Sequence, residues 1–147
     1  MLNPSTPAKE QFTILLVDDD DLDAKAVERM LAKQPNPPKL VRVANGFQAL
    51  EKLQSQTDHP IQPPYLVLLD LNMPKMGGLE FLEEIRKDPK LHSSVIFVLT
   101  TSSADQDKVA AYQNHVAGYI VKSEVGPDYN HLSTMLNHYL NTVSLLH

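Results

Sequence analysis

LVLLDLNMPKM, residues 66–76, decides the architecture. With Tyr65 before it, the run to Leu69 is apolar, too short for a helix and without polar alternation, which is the pattern of a strand buried on both faces of a parallel sheet. Asp70 ends the run. In an open α/β sheet ligands sit outside the carboxyl ends of the strands, so an acid at that point projects into the crevice where chemistry is done. Pro74 stops further pairing, and Gly77-Gly78 permit a sharp turn before the next helix.

Upstream, residues 12–17 (FTILLV) form a second such run, closed by Asp18, Asp19, Asp20 and Asp21. Asp20 or Asp21 is positioned to cap the following helix, where Leu22, Ala26, Val27, Met30 and Leu31 recur at helical spacing until Pro35. Residues 40–44 read as another strand, and Asn45-Gly46 turn it into a helix from Phe47 to about Ser55. The Pro-rich connection 56–64 is long for an αβ link, whose usual length is roughly 2–6 residues, so a surface excursion is expected.

Downstream of the central run, Leu79, Leu82 and Ile85 mark a helix to Lys87. Residues 95–99 form a strand followed by Thr100, Thr101, Ser102 and Ser103, with Ser103 as the expected cap of a helix over 105–114. Residues 118–121 form the last strand, ending in Lys122, and Tyr129, Leu132, Leu136, Tyr139, Leu140 and Val143 mark a closing helix. The order is βα five times. Right-handed crossovers then give a parallel sheet with helices on both faces, one doubly wound α/β domain over 12–147 behind a flexible leader, 1–11.

Composition narrows the function. The chain has 147 residues, which suits one domain, and no Cys, which removes disulfides, zinc-thiolate sites and thiol catalysis. A net charge of −5 without any basic block argues against nucleic-acid binding, which needs clustered cations. There is neither a bilayer-length apolar run nor a signal peptide, so a cytoplasmic protein free of membrane is expected.

The strand ends then gather Asp18 and Asp19, Asp70, Thr100 and Lys122. Three carboxylates in one crevice repel one another, so something positive must join them. Mg²⁺ suits, being a hard cation that takes oxygen ligands and often joins carboxylates to a phosphate. Asp70 is then the nucleophile for a phosphoryl group, with Lys122 and the metal stabilising charge and Thr100 drawn toward the new oxygens.

Taken together, ILLVDDD, LVLLDLNMPKMGG, VLTTS and GYIVK resemble, in order and spacing, the receiver domain of two-component response regulators, covering roughly residues 12–143. The resemblance implies a flavodoxin-like (βα)₅ sandwich with strand order 2-1-3-4-5. It implies phosphorylation of Asp70 by a histidine kinase or phosphotransfer protein, with Mg²⁺ among Asp18, Asp19, Asp70 and the backbone carbonyl of Asn72. Thr100 and Tyr119 fall on the switch hydroxyl and aromatic, Lys122 on the family lysine, and Asn72 and Ser102 where the phosphoryl lifetime is tuned. Two positions depart from the pattern: Ser123 follows Lys122 where receivers usually have Pro, often cis, and Gly77 stands where Asp is common. A non-proline cis bond costs about 2.5–4 kcal/mol, so the aim of Lys122 is open at this point.

The expected function is therefore a phosphorylation-activated signalling switch, not a metabolic enzyme, although it catalyses its own Mg²⁺-dependent phosphoryl transfer and dephosphorylation. Since nothing folded is expected after the closing helix, output is expected through a downstream protein partner or phosphorelay, and Val143, Leu145 and Leu146 offer a homodimer contact. The 56–64 connection and VLTTSS are similar to receivers paired with phytochrome-type kinases. Two alternatives stand beside this reading. One is a haloacid-dehalogenase-like phosphohydrolase with Asp18 as nucleophile; the other is a receiver-like interaction domain that is never phosphorylated.

Overall fold

The computed structural model describes residues 11–54 and 59–146. Apart from Gln11, the expected leader lies outside these residues, and the 56–64 connection is described from His59 onward. In chain order the elements are β1 (Thr13–Val17), α1 (Asp21–Ala32), β2 (Lys39–Val43), α2 (Gly46–Leu53), β3 (Tyr65–Leu69), α3 (Gly78–Lys87), β4 (Val95–Thr100), α4 (Asp105–Gln113), β5 (Gly118–Val121) and α5 (Asn130–Thr142). The strands are all parallel, in the order β2-β1-β3-β4-β5. No described helix is long and apolar enough to cross a membrane.

Strand alternation divides the interior into two cores. Leu15, Val17, Val67, Leu69, Ile96 and Val98 face α2, α3 and α4, whose Ala49, Leu53, Phe81, Leu82, Ile85 and Ala111 complete one core. Ile14, Leu16, Leu66, Leu68, Phe97 and Leu99 face α1 and α5 on the other side, against Val27, Met30, Leu31, Leu132, Leu136 and Leu140. Every one of these side chains has left water, and at about 25 cal/mol per Å² of apolar area this burial dominates the stabilisation of the sheet.

The central strands carry the site. The register sets Val17 beside Leu69, so Asp18 and Asp70 emerge next to each other, tied by the Asp70 amide donating to the Val17 carbonyl at 2.9 Å. After Asp70 the chain doubles back so closely that the Gly78 amide donates to the Leu71 carbonyl at 3.1 Å. A Cβ at Gly78 would meet the Asp70 carbonyl oxygen at 2.5 Å and Leu71 Cα at 2.6 Å, so glycine is needed there. Gly77 has room, its nearest contacts lying at 3.6 and 3.9 Å. Of the two glycines, only the second is dictated by the turn.

The bottom of the sheet is held by Arg86. Its guanidinium donates to the carbonyls of Asn114, His92, Ser94 and His115, joining the α3–β4 and α4–β5 connections. These are loop carbonyls with no sheet partner, and a planar fork of donors satisfies all of them.

Several boundaries differ from expectation. Ser103 does not cap α4: the residue before the helix is Ala104, and Ser102 Oγ accepts from the Ala104 amide at 3.3 Å while bonding Asp107. α5 begins at Asn130, behind 3₁₀ turns at Lys122–Glu124 and Pro127–Tyr129. Asp128 and Tyr129 hold φ of 52° and 58°, conformations that a regular helix does not allow, so Tyr129 stays outside it. Leu145 is buried in the chain's own α1/α5 core, leaving Val143 and Leu146 exposed beyond α5.

Candidate functional site

Asp18 lies on the floor of the crevice, almost wholly buried, with both carboxylate oxygens engaged. Oδ1 accepts from the Asp20 amide at 2.9 Å and Oδ2 from Lys122 Nζ at 2.8 Å. Asp20 in turn caps α1, accepting from the Asp23 amide at 3.0 Å. Burial lifts the Asp18 carboxyl above its ordinary value, against the lowering pull of Lys122. Arg42 on β2 closes the outer side, donating to the Asp18 carbonyl at 3.0 Å and pairing with Asp21 at 2.7 Å.

Asp70 is held differently on its two oxygens. Oδ1 accepts from Thr100 Oγ1 at 2.9 Å and from the Asn72 amide at 3.1 Å. Oδ2 has one long contact, 3.2 Å to Lys122 Nζ. Thr100 is inaccessible at the end of β4, so its hydroxyl has no water to turn to. One oxygen of Asp70 is thus fixed and the other is left comparatively free toward an open cleft lined by Asp19, Leu22, Asp23, Asn72, Thr101 and Lys122.

Carboxylate oxygens of Asp18, Asp19 and Asp70 lie within 4.8 Å of one another, close enough to share one cation. Asp19 is exposed and has no hydrogen-bond partner among the described residues, unlike its two neighbours. An unpartnered acid beside two engaged ones, all oxygen donors, fits a hard divalent ion that keeps part of its water.

Lys122 Nζ spends all three protons on carboxylates: Asp18, Asp70 and, at 2.7 Å, Asp23 of α1. Burial by itself would lower the ammonium's pKa, but the hydrogen bonds to Asp18 and Asp23 overturn that and raise it, so the lysine is cationic at any physiological pH. The Lys122–Ser123 bond is trans and opens a 3₁₀ turn. Tyr119 and Ser102 stand back from the cleft, joined to each other: the Tyr119 hydroxyl donates to the Ser102 carbonyl at 2.9 Å. Burial pushes the Tyr119 phenol up. The crevice therefore unites Asp18, Asp19, Asp70, Asn72 and Lys122, with Thr100 beneath. Ser102 turns its hydroxyl to α4, and Thr101 takes the place at the rim. Asp23 was not among the expected site residues; its acid belongs to the first helical turn by sequence, and nothing in the spacing aims it at β5.

This is the strand-end arrangement of a receiver, and the sequence matches the response regulator receiver domain over residues 14–134. The chain belongs to that family. Receivers of this family are phosphorylation-activated signalling switches. Response regulator Rcp1 of Synechocystis sp. is 39% identical over 124 residues, covering 84% of this chain and 82% of that one. The structure is similar to that of the phosphorylated cyanobacterial phytochrome response regulator RcpA, with a TM-score of 0.85 and 31% identity, covering 94% of this chain and all of the other. It is also similar to the Mn²⁺-bound form of Rcp1, at a TM-score of 0.82 and 35% identity, over 92% and 99% of the two chains. The hydrolase alternative built on Asp18 finds no support: in this receiver both oxygens of that buried acid are taken by Asp20 and Lys122.

Proposed function

We propose that Asp70 accepts a phosphoryl group from a histidine kinase of the phytochrome type, or from a phosphotransfer protein, and that the modified domain acts in the cytoplasm by binding a downstream protein. The observation that carries this reading is the unequal seating of the Asp70 carboxylate, with Oδ1 fixed by Thr100 and Asn72 and Oδ2 facing the cleft.

In this mechanism Asp70 Oδ2 attacks phosphorus, the bond from phosphorus to the donor breaks with its electron pair leaving on the donor, and an acyl phosphate remains on Asp70. Asp18, Asp19, Asp70 and the Asn72 carbonyl would hold Mg²⁺, which would supply positive charge against the phosphoryl oxygens. Lys122 Nζ, already 3.2 Å from Oδ2, binds an oxygen of the incoming group, because transfer asks the protein mainly for positioning and charge. Thr100 Oγ1 turns from Oδ1 to a phosphoryl oxygen, a stronger acceptor, and the β4–α4 connection held by Tyr119 responds. Attack by water later removes the group, and Asn72 at the cleft, with Ser102 behind it, tunes how soon. Val143 and Leu146 beyond α5 supply an apolar contact for a second copy.

The test is intact mass after incubation with Mg²⁺ and acetyl phosphate. A labile phosphate increment present in wild type and absent in Asp70→Asn supports the switch. Turnover that survives Asp70→Asn but is lost in Asp18→Asn supports a hydrolase, and no increment at all supports an unphosphorylated interaction domain.

A further inference from the structure

Lys122 is followed by Ser123, its peptide bond is trans, and the backbone turns at once into a 3₁₀ turn. Its ammonium also meets an acid of the first helix. Asp23, at the first turn of α1, takes the shortest of the three lysine contacts, 2.7 Å against 2.8 Å for Asp18 and 3.2 Å for Asp70. Asp23 is itself steadied on both sides. Its amide is bonded to the Asp20 cap, and its second oxygen accepts from the Tyr129 hydroxyl at 3.4 Å, from the turn that leads into α5.

We infer that Asp23 is a positioning residue for phosphoryl transfer: it draws the Lys122 ammonium away from Asp70 Oδ2, leaving that oxygen's lone pair available and the lysine poised over the cleft. This rests on the reading of Asp70 as phosphoacceptor. The reasoning is a competition among acceptors. An ammonium has three protons, and here three carboxylates take them. Removing the outermost negative charge weakens that contact and sends the ammonium inward, where charge-assisted hydrogen bonds are strong and short. A tight bond from Lys122 to Oδ2 withdraws electron density from the attacking atom and occupies the ammonium that should meet the phosphoryl oxygens. Asp23 is 30% exposed at its side chain, so the lysine can be drawn toward the rim without a buried charge being left alone.

The discriminating experiment is a double-mutant cycle on the rate of Asp70 phosphorylation by acetyl phosphate at saturating Mg²⁺, using Asp23→Asn, Lys122→Ala and the pair. Asp23→Asn alone slows labelling about tenfold, the size expected of coupled charged neighbours, and by less than about twofold when Lys122 is already Ala. A residue that serves only the fold or the general charge of the cleft slows both backgrounds equally, and that result overturns the inference, as does an unchanged or faster single variant. A second reading needs no phosphoryl donor and no metal. The carboxyl ¹³C resonance of Asp70, which makes no contact with Asp23, shifts in Asp23→Asn if the ammonium moves onto Oδ2, and stays in place if the inference is wrong. Wild type that takes no label on Asp70 defeats the proposed function itself; wild type that labels while Asp23→Asn matches it defeats only the role of Asp23.

Discussion

Thr100 Oγ1 donates to Asp70 Oδ1 at 2.9 Å, from a side chain with no solvent access, across the β3–β4 boundary of the sheet. Thr100→Val keeps the shape and removes the donor. Hydrogen bonds to charged groups are worth about 1.5–3 kcal/mol, and the added methyl returns part of this, so we expect a loss of about 1 kcal/mol in urea denaturation. If Thr100 also transmits the state of Asp70, the amide shifts produced at Ser102 and Tyr119 by fluoroberyllate shrink in this variant while those at Asp70 remain.

The two neighbouring glycines should separate cleanly. Gly78→Ala forces a methyl onto the Asp70 carbonyl and Leu71 Cα, both backbone atoms that cannot give way, and should cost about 2–4 kcal/mol. Gly77→Ala finds open space at φ of −73° and should change stability by less than about 0.5 kcal/mol. Equal midpoints for the two variants in chemical denaturation contradict the turn described here.

Arg86 binds four loop carbonyls, so Arg86→Ala leaves the two part-buried acceptors of Asn114 and Ser94 unpaired and returns the exposed ones of His92 and His115 to water. A loss of about 3 kcal/mol is expected, well above the effect of an ordinary surface change. Arg86→Lys should recover less than half of it, because a single ammonium cannot span the fork. Thermal and urea unfolding of the three proteins measure this directly.

The pair of Asp21 with Arg42 gives a pH signature. Arg42 lowers the Asp21 carboxyl below its ordinary 3.8. A depressed folded value means that the pair stabilises above the unfolded value and that this contribution fades as pH falls through the folded one, here below pH 3.8. The carboxyl ¹³C titration of Asp21 should move up in Arg42→Ala. Because the acid is fully exposed, the accompanying change in stability should be small and should diminish with added salt.

Strands buried on both faces and closed by acids are legible because both properties are local, and Asp18, Asp19, Asp70 and Lys122 follow from strand ends alone. Thr100 follows too, from its place after an apolar run. What fails is anything decided between elements. Ser103 reads as a cap for α4, but Ala104 precedes the helix, no side chain caps it, and Ser102 is the hydroxyl turned toward Asp107. Asp23 meets Lys122 across 99 positions and Arg86 meets His115 across 29, and no periodicity foretells either pairing. Leu145 is expected with Val143 and Leu146 at a homodimer contact, yet it packs into the α1/α5 core, because which core a segment folds toward is not a local property.

The sheet sends alternate residues of each central strand into two interiors that share no side chains: one closed by α1 and α5, the other by α2, α3 and α4. Substitutions on opposite sides of such a partition should add independently. A lineage can therefore remodel the outward surface of α1 and α5 for a new partner, tolerating the packing errors that such change brings, while the α2–α4 layer stays intact. Evolution has in this fold two separately editable exteriors wired to one acid.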